Sequence, residues 1–145
     1  MLDAPVSGGV AGAKTASLTC FVGGAKIIFE RTRPLLQCMG KTIFHMGPLG
    51  TGQVTKLANQ ICQLANLQGA AEALLFARAQ GADAAKVRAA VMTGLGASRM
   101  LDVLGQKMVE RDFAPGIVAA LHHKDIGVAL ELAHDAGLRC RLPRR

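Results

Sequence analysis

The spacing of hydrophobic and polar positions changes near residue 48 of the chain. Before that point, short apolar runs alternate with glycine-rich breaks, which is typical of strands joined by tight connections. Strands are predicted at 1–6, 17–22 and 41–46, a glycine-rich loop at 7–13, and a helix at 25–32. Pro34 is expected to interrupt that helix and to open a separate short turn over 34–39. This alternation predicts the closing part of an α/β sheet.

Beyond residue 48 the apolar positions recur at intervals of three and four, the period of an amphipathic helix. Helices are predicted from Gly52 to Gln80, from Asp83 to Met92, from Ser98 to Glu110 and from Ile117 to Ala136. Residues 1–48 are therefore predicted to be a short α/β segment, and residues 49–145 an all-α domain built on the long first helix. The fold class is mixed.

A group of polar residues lies near the start of the long helix, shortly after the glycine turn at Gly50. Lys56 lies off the apolar stripe, and spacings of three and four residues place Asn59 and Gln60 beside it. A cation and two amides at one helix start could form a pocket for a small polar ligand. An ordinary solvated helix face has the same spacing, so the pattern alone leaves both interpretations open.

The second candidate is the glycine-rich stretch after the first strand. Ser7, Gly8 and Gly9 permit positive φ angles and close approach of backbone N–H groups to a ligand. A tight turn without a ligand explains the same residues. The glycine spacing does not match the G-x-G-x-x-G turn of dinucleotide-binding domains.

The net charge of +7 is concentrated at the C-terminus, where four arginines fall within the last seven residues. The rest of the chain carries only +3. Tryptophan and tyrosine are absent and there are five phenylalanines, so the stacking platforms of single-stranded nucleic-acid binders are lacking. No nucleic-acid partner is expected.

The four cysteines are far apart and form no C-x-x-C pair, so buried reduced thiols are expected instead of a metal site or a disulfide framework. His45 and His134 are isolated, and His122 with His123 are expected on a helix surface. The first residues show no signal peptide, and no window reaches the length of a membrane span. A cytoplasmic location without membrane association is expected.

Three ordered motifs together resemble one family. They are the stretch from Asp3 to Gly9 (Asp-Ala-Pro-Val-Ser-Gly-Gly), the pattern Gly50-x-Gly52-x-x-x-Lys56-x-x-Asn59-Gln60, and the pair Lys124-Asp125. The stretch from Arg111 to Gly116 also fits. The chain resembles the β-hydroxyacid dehydrogenases, in particular the 2-hydroxy-3-oxopropionate (tartronate semialdehyde) reductases and the 3-hydroxyisobutyrate dehydrogenases.

This resemblance implies a Rossmann-type domain that binds NAD or NADP, a long interdomain helix, and an all-α domain like that of 6-phosphogluconate dehydrogenase, which forms the dimer. It implies the following site residues: Lys56 as the catalytic lysine; Ser7, Gly8, Gly9, Asn59, Gln60 and Asp125 as substrate-binding residues; and Lys124 as a cofactor-contacting residue. No metal is implied. The implied reaction is NAD(P)-dependent reduction of a small carboxylated semialdehyde to its hydroxyacid.

The resemblance also has departures. The family's first strand and its G-x-G-x-x-G phosphate loop are not found in this sequence, and the family continues beyond Arg145 into a further helix. The chain is therefore expected to be truncated at both ends and inactive in isolation. The alternative function is a non-catalytic helical module, derived from the same family, that forms a homo-oligomer.

Overall fold

The computed structural model of the chain describes residues 1–116 and 119–139. These residues form two compact units, here called the N-terminal unit (1–59) and the C-terminal unit (from residue 60 on). The boundary between the units falls inside the long helix. The predicted fold class, a short α/β segment followed by helices, is confirmed.

The sheet of the N-terminal unit is built around one central strand. Its strands are β1 (Leu2–Asp3), β2 (Val6–Ser7), β3 (Thr19–Gly24) and β4 (Thr42–Gly47). Both β1 and β2 run antiparallel along one edge of β3, while β4 runs parallel along the other edge. The Pro5 carbonyl between β1 and β2 accepts from the Phe21 N–H at 2.9 Å, so residues 2–7 follow β3 as one nearly continuous segment.

The prediction of a glycine-rich loop over 7–13 is wrong, because a short helix α1 (Gly9–Lys14) forms there. Gly8 and Gly12 lie one turn apart and both face Leu18. A Cβ at either position would lie within about 3.1 Å of the Leu18 Cδ2 atom. The glycines thus create a flat helix face for a leucine from the next segment, which the local sequence does not reveal.

The predicted interruption at Pro34 is also wrong. Helix α2 (Lys26–Gln37) passes through Pro34 without a break. Phe29 and Leu36 are two turns apart on one face of α2, and both are buried in the same core. Packing of both side chains outweighs the single backbone hydrogen bond that a proline removes from its last turns.

The core of the N-terminal unit lies between the sheet and α2. Cys20, Val22, Phe29 and Leu36 are buried there, and Leu2, Ala4, Val6 and Ile43 pack around them. The His45 ring stacks on Phe29 with ring centroids 4.9 Å apart, and its Nε2 atom lies 2.7 Å from the Gly24 carbonyl oxygen. The first seven residues are therefore held against the core by apolar packing as well as by strand pairing.

In the described residues four helices follow, in the positions that the sequence predicts, while the predicted start of the last helix at Ile117 lies outside the described residues. They are α3 (Thr51–Ala79), α4 (Ala84–Val91), α5 (Arg99–Glu110) and α6 (Ala119–Asp135). Ala70 and Leu74 of α3 are buried against Leu101 of α5, with further apolar side chains from α4 and α5 around them. Arg88 of α4 donates from Nε to the Leu101 carbonyl at 3.1 Å, which joins α4 to the first turn of α5.

The expectation of buried cysteines holds for Cys20 but is wrong for Cys38 and Cys62, which are exposed. Cys140 and the arginine-rich end after residue 139 lie outside the described residues. Among the residues that the structure describes, no helix combines the length and the hydropathy needed to cross a membrane.

Candidate active site

The first part of the candidate site lies in the N-terminal unit, around Lys56. This lysine sits in the second turn of α3 and is half-buried. Its Nζ atom donates to the Val6 carbonyl oxygen at 2.9 Å. The two residues are 50 positions apart in the chain, and Val6 immediately precedes Ser7. The fold therefore brings the predicted lysine to the strand that leads into the predicted substrate loop.

The predicted substrate loop is the point where β2 turns into α1. Ser7 is the last residue of β2 and pairs with Thr19 of β3. Gly8 has a φ of 133° and Gly9 a φ of 60°, backbone angles that favour glycine. No atom outside the immediate backbone lies within 4 Å of the position where a Cβ on Gly9 would stand. The main chain at Gly9 is therefore open to an approaching ligand.

Asp3 is a residue of this region to which the sequence analysis assigns no role. Its Oδ1 atom accepts from the Gly50 N–H at 2.6 Å, and its Oδ2 atom accepts from the Gln53 N–H at 2.8 Å. A carboxylate at a helix N-terminus satisfies N–H groups that have no partner within the helix and interacts favourably with the helix dipole. Asp3 thus caps the helix that carries Lys56.

The surroundings of this cap are tightly closed. A Cβ on Gly52 would overlap the Phe21 carbonyl oxygen and would lie 2.6 Å from Asp3 Oδ2. A Cβ on Gly23 would overlap Asp3 Oδ1 and would lie 2.8 Å from the Pro48 carbonyl oxygen. Glycine is required at both positions because β3, Asp3 and the start of α3 approach one another more closely than any side chain allows.

The second part of the candidate site lies in the C-terminal unit. Gln60 is only 5% exposed, and its Nε2 atom donates to Asp125 Oδ2 at 2.8 Å. The Nζ atom of Lys124 lies 3.1 Å from Asp125 Oδ1. The structure therefore brings together three predicted site residues that are separated by up to 65 positions. Asn59, the other amide, is half-buried and belongs to the N-terminal unit.

The chemistry of Lys124 fits contact with an anionic cofactor. Its side chain is 69% exposed, and its ammonium group has more donors than the one ion pair with Asp125 uses. An exposed ammonium group can donate to phosphate or ribose oxygens of a dinucleotide. Of the other polar candidates, His122 and His123 line a mainly apolar cavity of about 320 Å³ with side chains of α3 and α6.

The stretch from Arg111 to Gly116 serves helix termination in this structure. Arg111 ends α5 in a left-handed conformation, and its guanidinium group lies 5.7 Å from the centre of the Phe113 ring. Asp112 binds Lys107 at 2.8 Å and accepts from the Ala114 N–H at 3.0 Å. The hydrogen bond from Lys107 is the main cause that holds the pKa of Asp112 below its ordinary value. These contacts give Arg111, Asp112 and Phe113 of the motif a structural role at the end of α5.

Comparison with known protein families gives two matches along the chain. Residues 50–144 match the model described as NAD-binding of NADP-dependent 3-hydroxyisobutyrate dehydrogenase. Residues 1–47 match the model described as the NAD binding domain of 6-phosphogluconate dehydrogenase. The first match alone covers well over half of the chain.

Individual relatives agree with the family matches. The chain is 48% identical over 137 residues to the 2-hydroxy-3-oxopropionate reductase of Escherichia coli (strain K12), covering 94% of this chain and 47% of that protein. A crystal structure of 3-hydroxyisobutyrate dehydrogenase from Salmonella typhimurium superposes with a TM-score of 0.88 at 27% identity, covering 98% of this chain and 50% of that one. The Mycobacterium tuberculosis 3-hydroxyisobutyrate dehydrogenase, solved with L-serine, gives a TM-score of 0.87 at 32% identity, with 97% and 50% covered.

The chain spans about half the length of these relatives. The two family-model matches include the segments that carry Lys56, the loop after Ser7, and Asp125. The resemblance that the three motifs indicate is confirmed. The chain belongs to the β-hydroxyacid dehydrogenase family.

Proposed function

We propose that this chain carries the catalytic lysine and the substrate-binding residues of an NAD(P)-dependent β-hydroxyacid dehydrogenase. The proposed reaction is the reduction of a small carboxylated semialdehyde, of the tartronate semialdehyde type, to its hydroxyacid. The supporting observation is the position of Lys56, whose ammonium group lies 2.9 Å from the carbonyl oxygen of Val6, next to Ser7. A proton donor and a candidate anion-binding loop are thus neighbours in one compact unit.

The substrate carboxylate is assigned to the turn after β2. The Ser7 hydroxyl and the N–H groups of Gly8 and Gly9 supply donors there, and the open space beside Gly9 leaves room for a ligand. Oriented N–H groups and hydroxyls are common partners of carboxylate groups. In this scheme the loop binds and orients the substrate but takes no part in proton transfer.

Lys56 is assigned the role of general acid. During reduction negative charge develops on the carbonyl oxygen, and an ammonium group bound to that oxygen stabilises the charge and delivers the proton. When bound, the reduced nicotinamide supplies the hydride. The hydrogen bond to Val6 fixes the direction of the Lys56 side chain before the substrate binds. Such preorganisation lowers the cost of reaching the reactive geometry.

The amide residues and the pair Lys124–Asp125 complete the proposal. Asn59 and Gln60 are assigned to substrate orientation, and the bond between Gln60 and Asp125 holds that amide in one position. Asp125 is assigned to substrate binding. Lys124 is assigned to the dinucleotide, NAD or NADP, because its ammonium group is exposed. The two matching family models are both NAD-binding models, which supports this assignment.

The test uses a hybrid enzyme in which this chain replaces the matching half of the Escherichia coli reductase. Oxidation of NADH or NADPH is measured with tartronate semialdehyde as substrate. Lys56→Ala is expected to lower kcat by about 10²- to 10⁴-fold, the usual contribution of a positioned general acid. Lys41→Ala, which removes an exposed lysine of the same unit, is the matched control and should leave kcat unchanged.

Full turnover by the Lys56→Ala hybrid would show that Lys56 is not the general acid. A loss of equal size in both lysine variants would indicate a general charge effect and would also contradict the proposal. The 145-residue chain assayed by itself tests the further expectation that it is inactive in isolation.

A second candidate function is a non-catalytic homo-oligomerisation module. The observation in its favour is the number of large apolar side chains that the helices of the C-terminal unit leave exposed. Leu75 and Phe76 of α3 are 69% and 68% exposed, and Leu121 and Leu132 of α6 are 56% and 51% exposed. Contiguous exposed apolar surface is typical of subunit interfaces.

Light scattering of the chain over a range of concentrations tests this second function. A dimer that Phe76→Glu converts to a monomer is the expected result. A clean monomer at high concentration would exclude the interaction module and would leave the proposed reaction unaffected.

A further inference from the structure

We propose that Asp3 is a positioning residue for Lys56. In this view its carboxylate fixes the start of α3 to the first strand segment and so sets where the Lys56 ammonium group meets the Ser7–Gly9 loop. The inference rests on the proposed function for the role of Lys56 in the reaction. The physical link between Asp3 and Lys56 rests on the contacts alone.

The carboxylate of Asp3 makes two hydrogen bonds to the start of α3. Each of its two carboxylate oxygens accepts one backbone N–H, from Gly50 at 2.6 Å and from Gln53 at 2.8 Å. The N–H of Gly50 lies just before the first turn of α3, and the N–H of Gln53 lies within that turn. Two separate acceptors on one rigid group fix the position and the direction of that turn, where a single bond would fix only a distance.

The backbone of Gly23 and Gly52 approaches the Asp3 carboxylate very closely. A Cβ on Gly23 or on Gly52 would collide with Asp3 oxygens and with neighbouring backbone atoms. The carboxylate is thus packed closely against β3 and the start of α3. Close packing limits how far a side chain can shift and so helps to hold the groups bound to it.

A second hydrogen bond joins the same two segments, the first strand segment and the start of α3. Three residues after Asp3, the Val6 carbonyl accepts from Lys56, which lies three residues after Gln53. The strand segment between these ties is itself held in register, since Asp3 pairs with Gly23 and Val6 pairs with Cys20. The hydrogen bonds of Asp3 therefore determine where the helix places the Lys56 side chain relative to the end of the strand.

This arrangement requires a carboxylate. An asparagine at position 3 has one acceptor oxygen, so one of the two N–H groups would face the amide NH₂ group. Asp83, at the start of α4, makes a useful contrast because one oxygen, Oδ1, accepts from both Ala85 and Lys86. Asparagine at position 83 can keep both bonds. Asp83→Asn is therefore a matched control for Asp3→Asn.

The experiment measures the Lys56 side chain directly in the full chain, by NMR of selectively ¹³C-labelled lysines. The Lys56 signal is assigned as the one that disappears in Lys56→Arg. In Asp3→Asn we expect this signal to move towards the position of the exposed Lys41. The backbone N–H that then faces the amide NH₂ group, of Gly50 or of Gln53, should also exchange with solvent roughly tenfold faster, as expected for the loss of a charge-assisted bond. Asp83→Asn should change neither measurement.

A Lys56 signal that stays in place in Asp3→Asn, while exchange at Gly50 or Gln53 increases, would overturn the inference, since Asp3 would then be a helix cap only. Movement of the Lys56 signal in Asp83→Asn as well would also overturn it, because the effect would be a general loosening. Should Asp3→Asn not fold, Asp3→Ser, with a smaller side chain and one acceptor, is measured against the same outcomes.

The experiment separates this inference from the proposed function. If Asp3→Asn moves the Lys56 signal while the Lys56→Ala hybrid keeps full turnover, the positional link holds and the catalytic assignment fails. If the signal does not move while Lys56→Ala abolishes turnover, the catalytic assignment holds and the positioning role of Asp3 fails.

Discussion

Among the described residues, aspartates cap the starts of two helices, α3 and α4, and the two caps differ in their distance along the chain. Asp83 caps α4 from the residue just before it, through bonds to N–H groups two and three residues later. Asp3 caps α3 through bonds to N–H groups 47 and 50 residues later. The local cap stabilises one helix. The distant cap also joins the strand that precedes the proposed substrate loop to the helix that carries Lys56.

The largest expected effect comes from filling the closed space at the distant cap. Gly52→Ala should lower the free energy of unfolding by about 3 kcal/mol, because the new Cβ overlaps the Phe21 carbonyl oxygen and crowds Asp3. Alanine is normally a better helix former than glycine, so helix propensity alone would predict an increase in the free energy of unfolding. Chemical denaturation measures the difference.

Gly69→Ala is the control for that substitution. Gly69 lies in the same helix, is exposed, and has no atom within 4 Å of its Cβ position. Alanine there should raise the free energy of unfolding by about 1 kcal/mol. Equal effects of the two substitutions would show that the close approach around Gly52 is not as described.

The next effect compares the two caps themselves. Asp3→Asn should lower the free energy of unfolding by about 2 kcal/mol, because one charge-assisted bond is lost and an N–H group is left facing the amide. Asp83→Asn should cost about 0.5 kcal/mol or less, since asparagine caps helices as well as aspartate does. Thermal or chemical unfolding of both variants measures the contrast. A larger loss for Asp83→Asn would contradict the distinction between the two caps.

The smallest effect concerns the core next to β3. Burial raises the pKa of the Cys20 thiol above its ordinary value. Because the folded pKa lies above the unfolded one, the contribution of the buried Cys20 thiol to stability is present below the unfolded pKa and declines as the pH rises through the folded pKa.

Burial should also protect Cys20 from chemical modification. In mildly alkaline buffer, alkylation followed by mass spectrometry should modify Cys38 and Cys62 readily and Cys20 only after unfolding. Equal modification of all three would contradict the burial of Cys20.

The same contrast explains how much of the fold was predictable. The starts of α4 and α5 follow from local capping, as Asp83 and Ser98 both accept from N–H groups within three residues. The change from strands to helices near residue 48 follows from the hydrophobic period. The errors at α1 and at Pro34 have one cause, since packing against other segments decides both: Leu18 lies against α1, and Cys20 and Val22 of β3 share a core with α2.

The candidate site likewise contains residues that the sequence predicts and one residue, Asp3, whose role only the fold reveals. Lys56, Gln60 and Asp125 could be proposed from sequence because the motif resemblance names them, and the structure shows bonds for each. Asp3 lies in the first of the three motifs, yet its role is invisible without the fold, since its partners are backbone N–H groups of another segment. Backbone partners leave no residue pattern in a single sequence.

The most direct test of the central claim, that Lys56 lies in the substrate site, is a titration of the chain with glycerate, the hydroxyacid of tartronate semialdehyde. The side-chain NMR signal of Lys56 and the backbone signals of Ser7, Gly8 and Gly9 are followed together. If Lys56 lies in the substrate site, all four signals shift and reach saturation while the Lys41 signal does not shift. A Lys56 signal that does not respond while the loop signals saturate, or that moves only in parallel with Lys41, would contradict it.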